Sequence, residues 1–424
     1  MSKTITLNHI TKIEGHAKLD LGVDNGKVIK CELSAVEGSR YFEGIVRNRK
    51  YYEAHEITSR ICGICSCAHV IAAISAIENA LGYEPTIQTK ELRELLTLGE
   101  RIRSHATHLY FLALPDYLGY ESALAMASKF KSQIKTALNI MKIGNDIIKT
   151  LGSRELHPVS ATVGGWLKIP PKSELERLST ELKNAMKESI TTCKLFSSLK
   201  YPIFKSKADS FSLCNGNNYP ILEGRFKSDK VAFEKDRYRE FLREYHVPQS
   251  TANFVVREDH RYMVGALARM NNNSRLLKAS ARKMLKQSPL KLPSYNPFHN
   301  NIAQAIEIVH CIESAIDICD NLNLKPEPPA RINPRAGTGI SAVEVPRGTL
   351  WHEYTLDGNG TITNANIITP TAQNLLSIQE DIREYMPSLL GMRKNEIVLS
   401  IEKLIRSYDP CFSCSAHFLE VNWI

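Results

Sequence analysis

Hydrophobic and polar positions alternate along the first 35 residues of the chain. The segments TITLNHI, KLDLGV and KVIKCELSAV have the two-residue period of β-strands. Between the second and third segments, Asp24-Asn25-Gly26 favours a tight hairpin turn. We therefore predict a small N-terminal sheet within residues 1–50.

After residue 51, apolar residues recur mostly at the spacing of an α-helix. In HVIAAISAIENALGY, for example, they cover one face of a helix that ends near Gly82. Long helices with short connections favour a bundle. The predicted helices cover residues 69–83, 89–114, 122–152, 172–198, 261–285, 298–323, 371–384 and 395–407.

Turn-forming residues interrupt this helical pattern. Residues 200–232 and 286–297 are rich in such residues and predict loops, whereas residues 351–370 alternate around Asp357-Gly358-Asn359-Gly360 and predict a second small hairpin. The fold class is therefore predicted as mainly α with small β elements, an α+β fold. We expect a single domain over residues 1–424, with a helical bundle over residues 51–424.

The composition of the 424 residues is that of a globular protein, with 43% apolar and 23% charged residues. Lys and Arg exceed Asp and Glu by 54 to 45 without long blocks of one sign, which does not favour binding to nucleic acid. The longest apolar stretches are shorter than the roughly 18 residues of a bilayer span. The N-terminal residues lack the pattern of a secretion signal. We expect a cytoplasmic protein, or one that travels with a partner.

Two Cys-x-x-Cys pairs are the strongest chemical signal among the ten cysteines. Cys62 and Cys65 form one pair, and Cys411 and Cys414 form the other. Four thiolates suit zinc, nickel or an iron-sulfur cluster. Pairs in structural zinc sites usually lie about 15 to 20 residues apart, whereas almost the whole chain separates these two. The spacing favours a reaction centre, with a structural zinc-binding scaffold as the alternative.

Several other residues are candidates for function, although each one alone is more typical of a structural role. Glu14 lies at a strand turn, and Arg347 lies in a Val-Pro-Arg-Gly turn. Pro370 opens a predicted helix. His69 and His417 each follow one of the cysteine pairs and suit a second metal or a hydrogen bond to a ligand.

Taken together and in order, five motifs resemble the large subunit of nickel-iron hydrogenases. The resemblance covers the full length and is most similar to the soluble multisubunit group, which includes sulfhydrogenases and enzymes linked to nicotinamide or deazaflavin cofactors. It implies reversible heterolytic cleavage of dihydrogen to protons and electrons. The motifs are K-I-E-G-H (12–16), R-I-C-G-I-C-x-x-x-H (60–69), V-P-R-G (345–348), I-T-P-T-x-Q-N (368–374) and D-P-C-F-S-C-S-A-H (409–417).

The resemblance implies a ligand set for the metals. Cys62 and Cys411 would be terminal ligands of nickel, and Cys65 and Cys414 would bridge nickel to an iron that carries carbon monoxide and cyanide. Cys411 would also be the first base, and its proton would pass to Glu14, whose carboxyl we expect to be buried beside the sulfur.

Arg347 would lie over the open metal position and be held by Asp409. Membrane-bound relatives carry an aspartate where this chain has Ser104, so one anchor of Arg347 is missing or moved.

Further roles follow from the resemblance alone. His69 would donate a hydrogen bond to a bridging sulfur, and a magnesium or iron ion would lie near the carboxyl end. The ligands of that ion would be Glu43, the carbonyl of Ile367 and His417. The residues around the diatomic ligands would be Pro346, Thr369, Pro370 and Thr371.

The resemblance also implies partners. After the four ligands, no further set of cysteines is available for a cluster, so an iron-sulfur small subunit would carry the electrons and the region around His157 would face it. Further electron-transfer subunits with flavin, NAD(P) or deazaflavin are expected. The family usually loses a tail after the final histidine to a maturation protease, so residues 418–424 are either a tail that this protease would remove or a short tail that this branch keeps. The alternative within this family is a non-catalytic hydrogenase-like subunit.

Overall fold

The computed structural model describes residues 3–38 and 41–416. It is mainly helical with several small sheets, as the predicted α+β class requires. The α-helices are α1 (Phe42–Val46), α2 (Ala54–Thr58), α3 (Ser66–Leu81), α4 (Ile87–Thr107), α5 (Leu114–Leu118), α6 (Ala123–Ala127), α7 (Lys131–Gly152), α8 (Lys172–Ser198), α9 (Tyr238–Phe241), α10 (Ala266–Asn273), α11 (Ala279–Gln287), α12 (Asn300–Asn321), α13 (Pro370–Tyr385), α14 (Lys394–Ser407) and α15 (Phe412–Ser415).

The strands are short apart from those of two sheets. They are β1 (Lys3–Leu7), β2 (Ala17–Asp24), β3 (Lys27–Ala35), β4 (Ala161–Thr162), β5 (Gly165–Trp166), β6 (Asp209–Ser210), β7 (Ser212–Cys214), β8 (Arg225–Lys227), β9 (Ala232–Phe233), β10 (Leu242–Tyr245), β11 (Phe254–Arg257), β12 (Tyr262–Met263), β13 (Gly337–Val345), β14 (Gly348–Leu356) and β15 (Ile362–Ile368).

Four long helices form the predicted bundle. Helix α12 packs against α4 and α8, while α7 packs against α4 and α8. Gly99 of α4 and Gly144 of α7 let the two backbones approach, since a Cβ atom on Gly144 would lie 2.7 Å from the carbonyl oxygen of Gly99. No helix in the described part of the chain is both long and apolar enough to cross a bilayer.

The N-terminal sheet is confirmed. Strands β1, β2 and β3 form an antiparallel meander, and Asn25 and Gly26 make its turn with φ angles of 47° and 78°.

The predicted hairpin over 351–370 is part of a three-stranded antiparallel sheet, so residues 51–424 are not a purely helical unit. The missed strand β13 is buried over most of its second half and therefore has no two-residue alternation there. Helix α3 packs on β13 and β14.

The predicted helix over residues 261–285 is wrong. The chain instead forms β12, α10 and α11, because Gly265 breaks the helix with a φ angle of 125° and three asparagines end α10. Asn271, Asn272 and Asn273 each donate to a backbone carbonyl outside the helix. The predicted helix over 122–152 is likewise divided into α6 and α7, and the predicted loop over 200–232 contains short strands.

Candidate metal centre

The first cysteine pair lies in the turn that leads into α3. Cys62 and Cys65 are buried, and α3 begins directly after Cys65. The carboxylate of Glu100 on α4 accepts hydrogen bonds from the first amides of α3, at 2.7 Å from the Cys67 nitrogen. Arg103 donates to the Ile64 carbonyl at 2.6 Å. Helix α4 therefore fixes the turn that carries both sulfurs.

The second pair lies at the short helix α15. Cys411 and Cys414 are buried, and the Cys411 amide donates to the Thr371 hydroxyl at 2.8 Å. The Phe412 amide donates to the Glu14 carbonyl at 2.9 Å. The helix that begins at Pro370 and the N-terminal segment thus hold this turn from two sides.

The structure brings the four sulfurs together. The Sγ atoms all lie within 4.8 Å of one another. Cys62 is 3.6 Å from Cys411, Cys65 is 3.0 Å from Cys414, and Cys411 is 2.8 Å from Cys414. None of the four is in a disulfide. The predicted meeting of the two ends of the chain is therefore present in the fold.

The electrostatics of the cluster favour a bound cation. Burial raises the pKa of Cys411 and of Cys414, and the hydrogen bonds with Cys62 and Cys65 raise both further. The pKa of Cys62 is lowered, chiefly through its hydrogen bond with Cys411. Four buried thiolates without a counter-charge would repel one another, so a soft metal with two or more positive charges fits this donor set.

Glu14 contacts the cluster directly. Its Oε2 atom lies 2.9 Å from Cys411 Sγ, and its carboxylate also accepts from the amide and the hydroxyl of Ser413. Gly15 follows with a φ angle of 81°, and a Cβ atom there would lie 2.7 Å from the Ser413 nitrogen. Contrary to expectation, Glu14 is only half-buried, because it lies at the N-terminal edge of the site.

Arg347 reaches the cluster from the turn between β13 and β14. Its Nε atom donates to the Asp409 carbonyl at 2.9 Å, and its guanidinium lies 3.1 Å from Asp409 Oδ1 and 3.4 Å from the Ser104 hydroxyl. Burial alone would lower the pKa of Arg347, but Asp409 and the cysteine sulfurs outweigh it and the pKa is raised. Arg347 is thus a permanent cation beside the sulfurs, and Ser104 gives it a neutral anchor.

His69 is buried beside the cysteines and belongs to a chain of hydrogen bonds. Its Nδ1 atom lies 3.1 Å from His352 Nε2, and His352 Nδ1 lies 2.8 Å from the Tyr354 hydroxyl. Burial lowers the pKa of His69 to about 4, so its ring is neutral near pH 7. His69 also lines the cavity that adjoins the sulfurs.

A small, mostly apolar cavity adjoins the sulfurs and Arg347. Pro346, Pro370 and Thr371 line it, together with Val345 and Leu350. Thr369 does not line this cavity; its hydroxyl lies 2.8 Å from that of Ser415 instead. The space is suited to small ligands of low polarity.

A second cavity of about 270 Å³ is lined by two of the three residues predicted for the other ion. Glu43 and Ile367 line it, as do Glu244 and Asn253. Neither Glu43 Oε2 nor Asn253 Oδ1 has a hydrogen-bond partner among the described residues. Burial raises the pKa of Glu43 to about 8, and the Glu244 charge adds to this. These oxygens fit a hard cation such as magnesium; His417 lies outside the described residues.

Comparisons with known proteins identify the family. The sequence profile described as nickel-dependent hydrogenase matches residues 40–151 and 261–417. The chain belongs to the nickel-dependent hydrogenase family. It is the large, catalytic type of subunit, an oxidoreductase that acts on dihydrogen. The resemblance and the predicted catalytic hydrogenase function are confirmed, and neither the zinc scaffold nor the non-catalytic alternative is supported.

Relatives of this hydrogenase match over nearly their whole length. The alpha chain of sulfhydrogenase 1 from Pyrococcus furiosus is 36% identical, and the alignment covers 98% of both chains. A chain of the F420-non-reducing hydrogenase from Methanothermobacter thermautotrophicus is 30% identical over 98% of this chain and 95% of the relative. A crystal structure of NAD+-reducing [NiFe]-hydrogenase in the H2-reduced state has the same fold, with a TM-score of 0.89, 24% identity and coverage of 98% and 99%.

Sequence reasoning missed several residues that hold the site. Ser413 binds the Glu14 carboxylate, Glu244 and Asn253 face Glu43, and His352 binds His69. Glu244, Asn253 and His352 lie far from their partners in sequence. Ser413 lies inside the second cysteine motif, where nothing separates it from the cysteines as a candidate.

Proposed function

We propose that the four cysteines hold a nickel-iron pair, with Cys62 and Cys411 on nickel alone and Cys65 and Cys414 shared with iron. The bound pair supplies the heterolytic splitting of dihydrogen. The observation that carries this proposal is the convergence of four buried, reduced sulfurs within 4.8 Å, next to a fixed cation and a carboxylate. Among the soft metals that suit four thiolates, membership of the nickel-dependent hydrogenase family favours nickel.

The chain provides a path for the proton. Cys411 Sγ would hold the proton first, and Glu14 Oε2 at 2.9 Å is within reach for a direct transfer. Ser413 orients the carboxylate by two hydrogen bonds. Because Glu14 is half-exposed, it would deliver the proton toward solvent without a further buried carrier.

Arg347 would orient dihydrogen and stabilise negative charge on the sulfurs, since its raised pKa excludes it as a base near neutral pH. Asp409 would keep the guanidinium in place.

The cavity lined by Pro346, Pro370 and Thr371 would receive carbon monoxide and cyanide on iron, and the Thr371 hydroxyl can donate to one cyanide. Thr369 would support this cavity from behind through Ser415.

His69 would donate from Nε2 to a bridging sulfur, which requires that its Nδ1 accept the proton of His352.

Magnesium or iron would bind in the second cavity, and its ligands would be Glu43, the carbonyl of Ile367 and His417. Glu244 and Asn253 would stabilise that ion through its water ligands.

The electrons would leave through an iron-sulfur small subunit. The other six cysteines of the chain form no metal-binding group with one another among the described residues. His157, whose ring donates to the Ser59 carbonyl at 2.9 Å and whose amide donates to the Ser66 hydroxyl at 3.0 Å, directly follows the exposed Leu156. This region near the first cysteine pair is the proposed contact face.

Further subunits with flavin, NAD(P) or deazaflavin, a maturation protease and a cytoplasmic location complete the proposal. The relatives are named as sulfhydrogenase, F420-non-reducing and NAD-reducing hydrogenase subunits, which favours a multisubunit enzyme. The terminal residues 418–424 lie outside the described residues, and an intact mass ending at His417 would identify the cleavage.

Metal analysis with infrared spectroscopy tests this function. We expect nickel and iron near one each per chain and the stretching bands of carbon monoxide and cyanide. Cys414→Ser should abolish the metal pair, because a hydroxyl is a poor bridging ligand. Cys214→Ser, at a half-buried thiol outside the cluster, should leave both metals in place. Zinc alone, without infrared bands, would contradict the proposal and indicate a scaffold.

A further inference from the structure

A second arginine, Arg269, lies fully buried behind the turn that carries Arg347. All five of its N–H donors are used. Its Nε atom donates to Glu307 Oε1 at 2.6 Å, and the terminal nitrogens donate to Glu307 Oε2 at 2.7 Å and to Glu344 Oε2 at 2.9 Å. The two remaining bonds go to the carbonyls of Val345 at 2.8 Å and Pro346 at 2.9 Å.

These two carbonyls directly precede Arg347 in the chain. The β13–β14 ladder ends with the pair Val345 and Gly348, so Pro346 and Arg347 form the tip of the turn and lie beyond the ladder. Pro346 has no N–H group to support the tip. Arg269 thus provides side-chain hydrogen bonds to the last residue of strand β13 and to the first residue of the tip beyond it.

The two carboxylates that hold Arg269 are themselves fixed. Glu307 also accepts from His105 at 2.8 Å and from the Tyr219 hydroxyl at 2.6 Å. Glu344 also accepts from the Leu213 amide and the Thr349 hydroxyl, both at 2.7 Å. Arg269 is therefore clamped from the helix α12 side and from the sheet side, and a shift of its guanidinium would break several buried bonds at once.

A lysine in this position cannot reproduce the arrangement. Its ammonium offers three donors from a single point, whereas the guanidinium is a planar fork with five. The bonds to the Val345 and Pro346 carbonyls compete with those to two carboxylates, so the neutral carbonyls would be lost first.

We propose that Arg269 is a positioning residue for Arg347, which it serves by fixing the backbone of the turn that holds the Arg347 guanidinium beside the cysteine sulfurs. Arg269 makes no hydrogen bond to any of the four cysteines. This inference rests on the proposed role of Arg347 in the reaction.

The test uses Arg269→Lys in the assembled holoenzyme. We expect nickel and iron to remain, since the cysteines lie on other elements. The infrared bands of the diatomic ligands should shift or broaden, and exchange between dihydrogen and heavy water should fall by roughly tenfold to a hundredfold, as misplacement of a catalytic group does. The backbone amides of Val345, Arg347 and Gly348 should exchange faster with deuterium.

Arg93→Lys is the matched control. Arg93 is also buried and pairs with Glu78 through two bonds of 2.7 Å, but it has no bond to the turn. It should lower the melting temperature while leaving the infrared bands and the exchange rate unchanged. If Arg269→Lys behaves as Arg93→Lys does, the role of Arg269 is merely structural and the inference is overturned.

A double-mutant cycle separates this inference from the proposed function. If Arg269 acts through Arg347, Arg269→Lys should have little further effect on the exchange rate in an Arg347→Lys background, and additive losses would overturn the inference. An Arg347→Lys enzyme with normal exchange would instead contradict the proposed role of Arg347.

If Arg269→Lys does not assemble, Glu344→Gln is the second variant, because it keeps the side-chain volume. It should produce a smaller shift of the same infrared bands, and unchanged bands would again overturn the inference.

Discussion

At the scale of single residues, the contact of 2.9 Å between Cys411 Sγ and Glu14 Oε2 supports the proposed direction of proton transfer. The carboxylate receives one sulfur contact and two hydrogen bonds from Ser413, so its orientation is fixed although the side chain is half-exposed. Position rather than burial makes Glu14 suitable as a carrier. A carboxyl at this place joins a water-excluded centre to solvent in one step.

Glu14→Gln should retain nickel and iron but slow the exchange of dihydrogen with heavy water by about 10²- to 10⁴-fold, because the amide cannot carry the proton. Isotope exchange followed by mass spectrometry measures this. The control is Glu37→Gln, a neighbouring carboxylate whose Oε1 lies 3.9 Å from His16 Nε2 and would lie 3.1 Å from a Cβ atom on Gly15. Normal exchange in Glu14→Gln would exclude Glu14 as the carrier.

His310 gives the protein a pH-dependent stability. Its Nδ1 atom accepts from the Lys278 amide at 3.1 Å, and burial lowers its pKa to about 3. As pH falls below about 6.5, the unfolded chain binds a proton that the folded chain does not, so the free energy of unfolding should fall by about 1.4 kcal/mol per pH unit from this group.

His310→Asn should make the free energy of unfolding less dependent on pH between 6 and 4.5, since it removes this group. Urea unfolding at both ends of the range measures the difference. An identical slope in the variant and the original chain would show that His310 titrates alike in both states.

At the scale of elements, the sequence predicted the long helices and the N-terminal sheet, because their patterns are strong and local. It failed at β13, whose buried residues hide the two-residue period, and at 261–285, where Gly265 and three asparagines divide an apparently helical segment. The cysteine and arginine motifs located the metal centre. The hydrogen bonds that hold Arg269 could not be predicted, because its partners come from separate segments without a shared motif.

The close approach of α4 and α7 is a testable property at this scale. Gly144→Ala would place a Cβ atom 2.7 Å from the Gly99 carbonyl oxygen and 2.9 Å from the Arg103 backbone, so something must shift. We expect a loss of about 1 to 3 kcal/mol in the free energy of unfolding.

Chemical denaturation measures this loss, with Gly358→Ala as control because a Cβ atom there has no neighbour within 4 Å. Since Arg103 also binds the Ile64 carbonyl, the Gly144 variant should bind nickel less well too. Equal stability of the two variants would contradict the tight packing of these helices.

At the scale of the whole molecule, the cysteine cluster joins the two ends of the chain. Its residues come from the turn before α3 and from the segment of α15, and both turns are supported by the bundle and by the sheet of β13, β14 and β15. A ligand that binds only the folded arrangement stabilises it by mass action. We therefore expect the proposed metals to contribute to the stability of the fold as well as to the chemistry.

Protein prepared without nickel and iron should melt at a temperature several degrees lower than the holoenzyme. The difference should be concentrated in residues 408–416, whose amides should exchange faster with deuterium in the metal-free protein. Calorimetry and hydrogen exchange of the two preparations measure these effects. Equal melting temperatures and equal exchange would show that the cysteine cluster is preorganised without metal.

Because 349 residues of sequence separate Cys62 from Cys411, the ribosome synthesises these two partners at different times. At a synthesis rate of about 5 to 20 residues per second, Cys62 emerges from the ribosome roughly 20 to 70 seconds before Cys411. During that interval the nascent chain carries half of a soft binding site, open to copper or zinc in the cell. Faithful loading with nickel thus depends on delivery after translation, or on a helper that shields the first thiols until the last ones arrive.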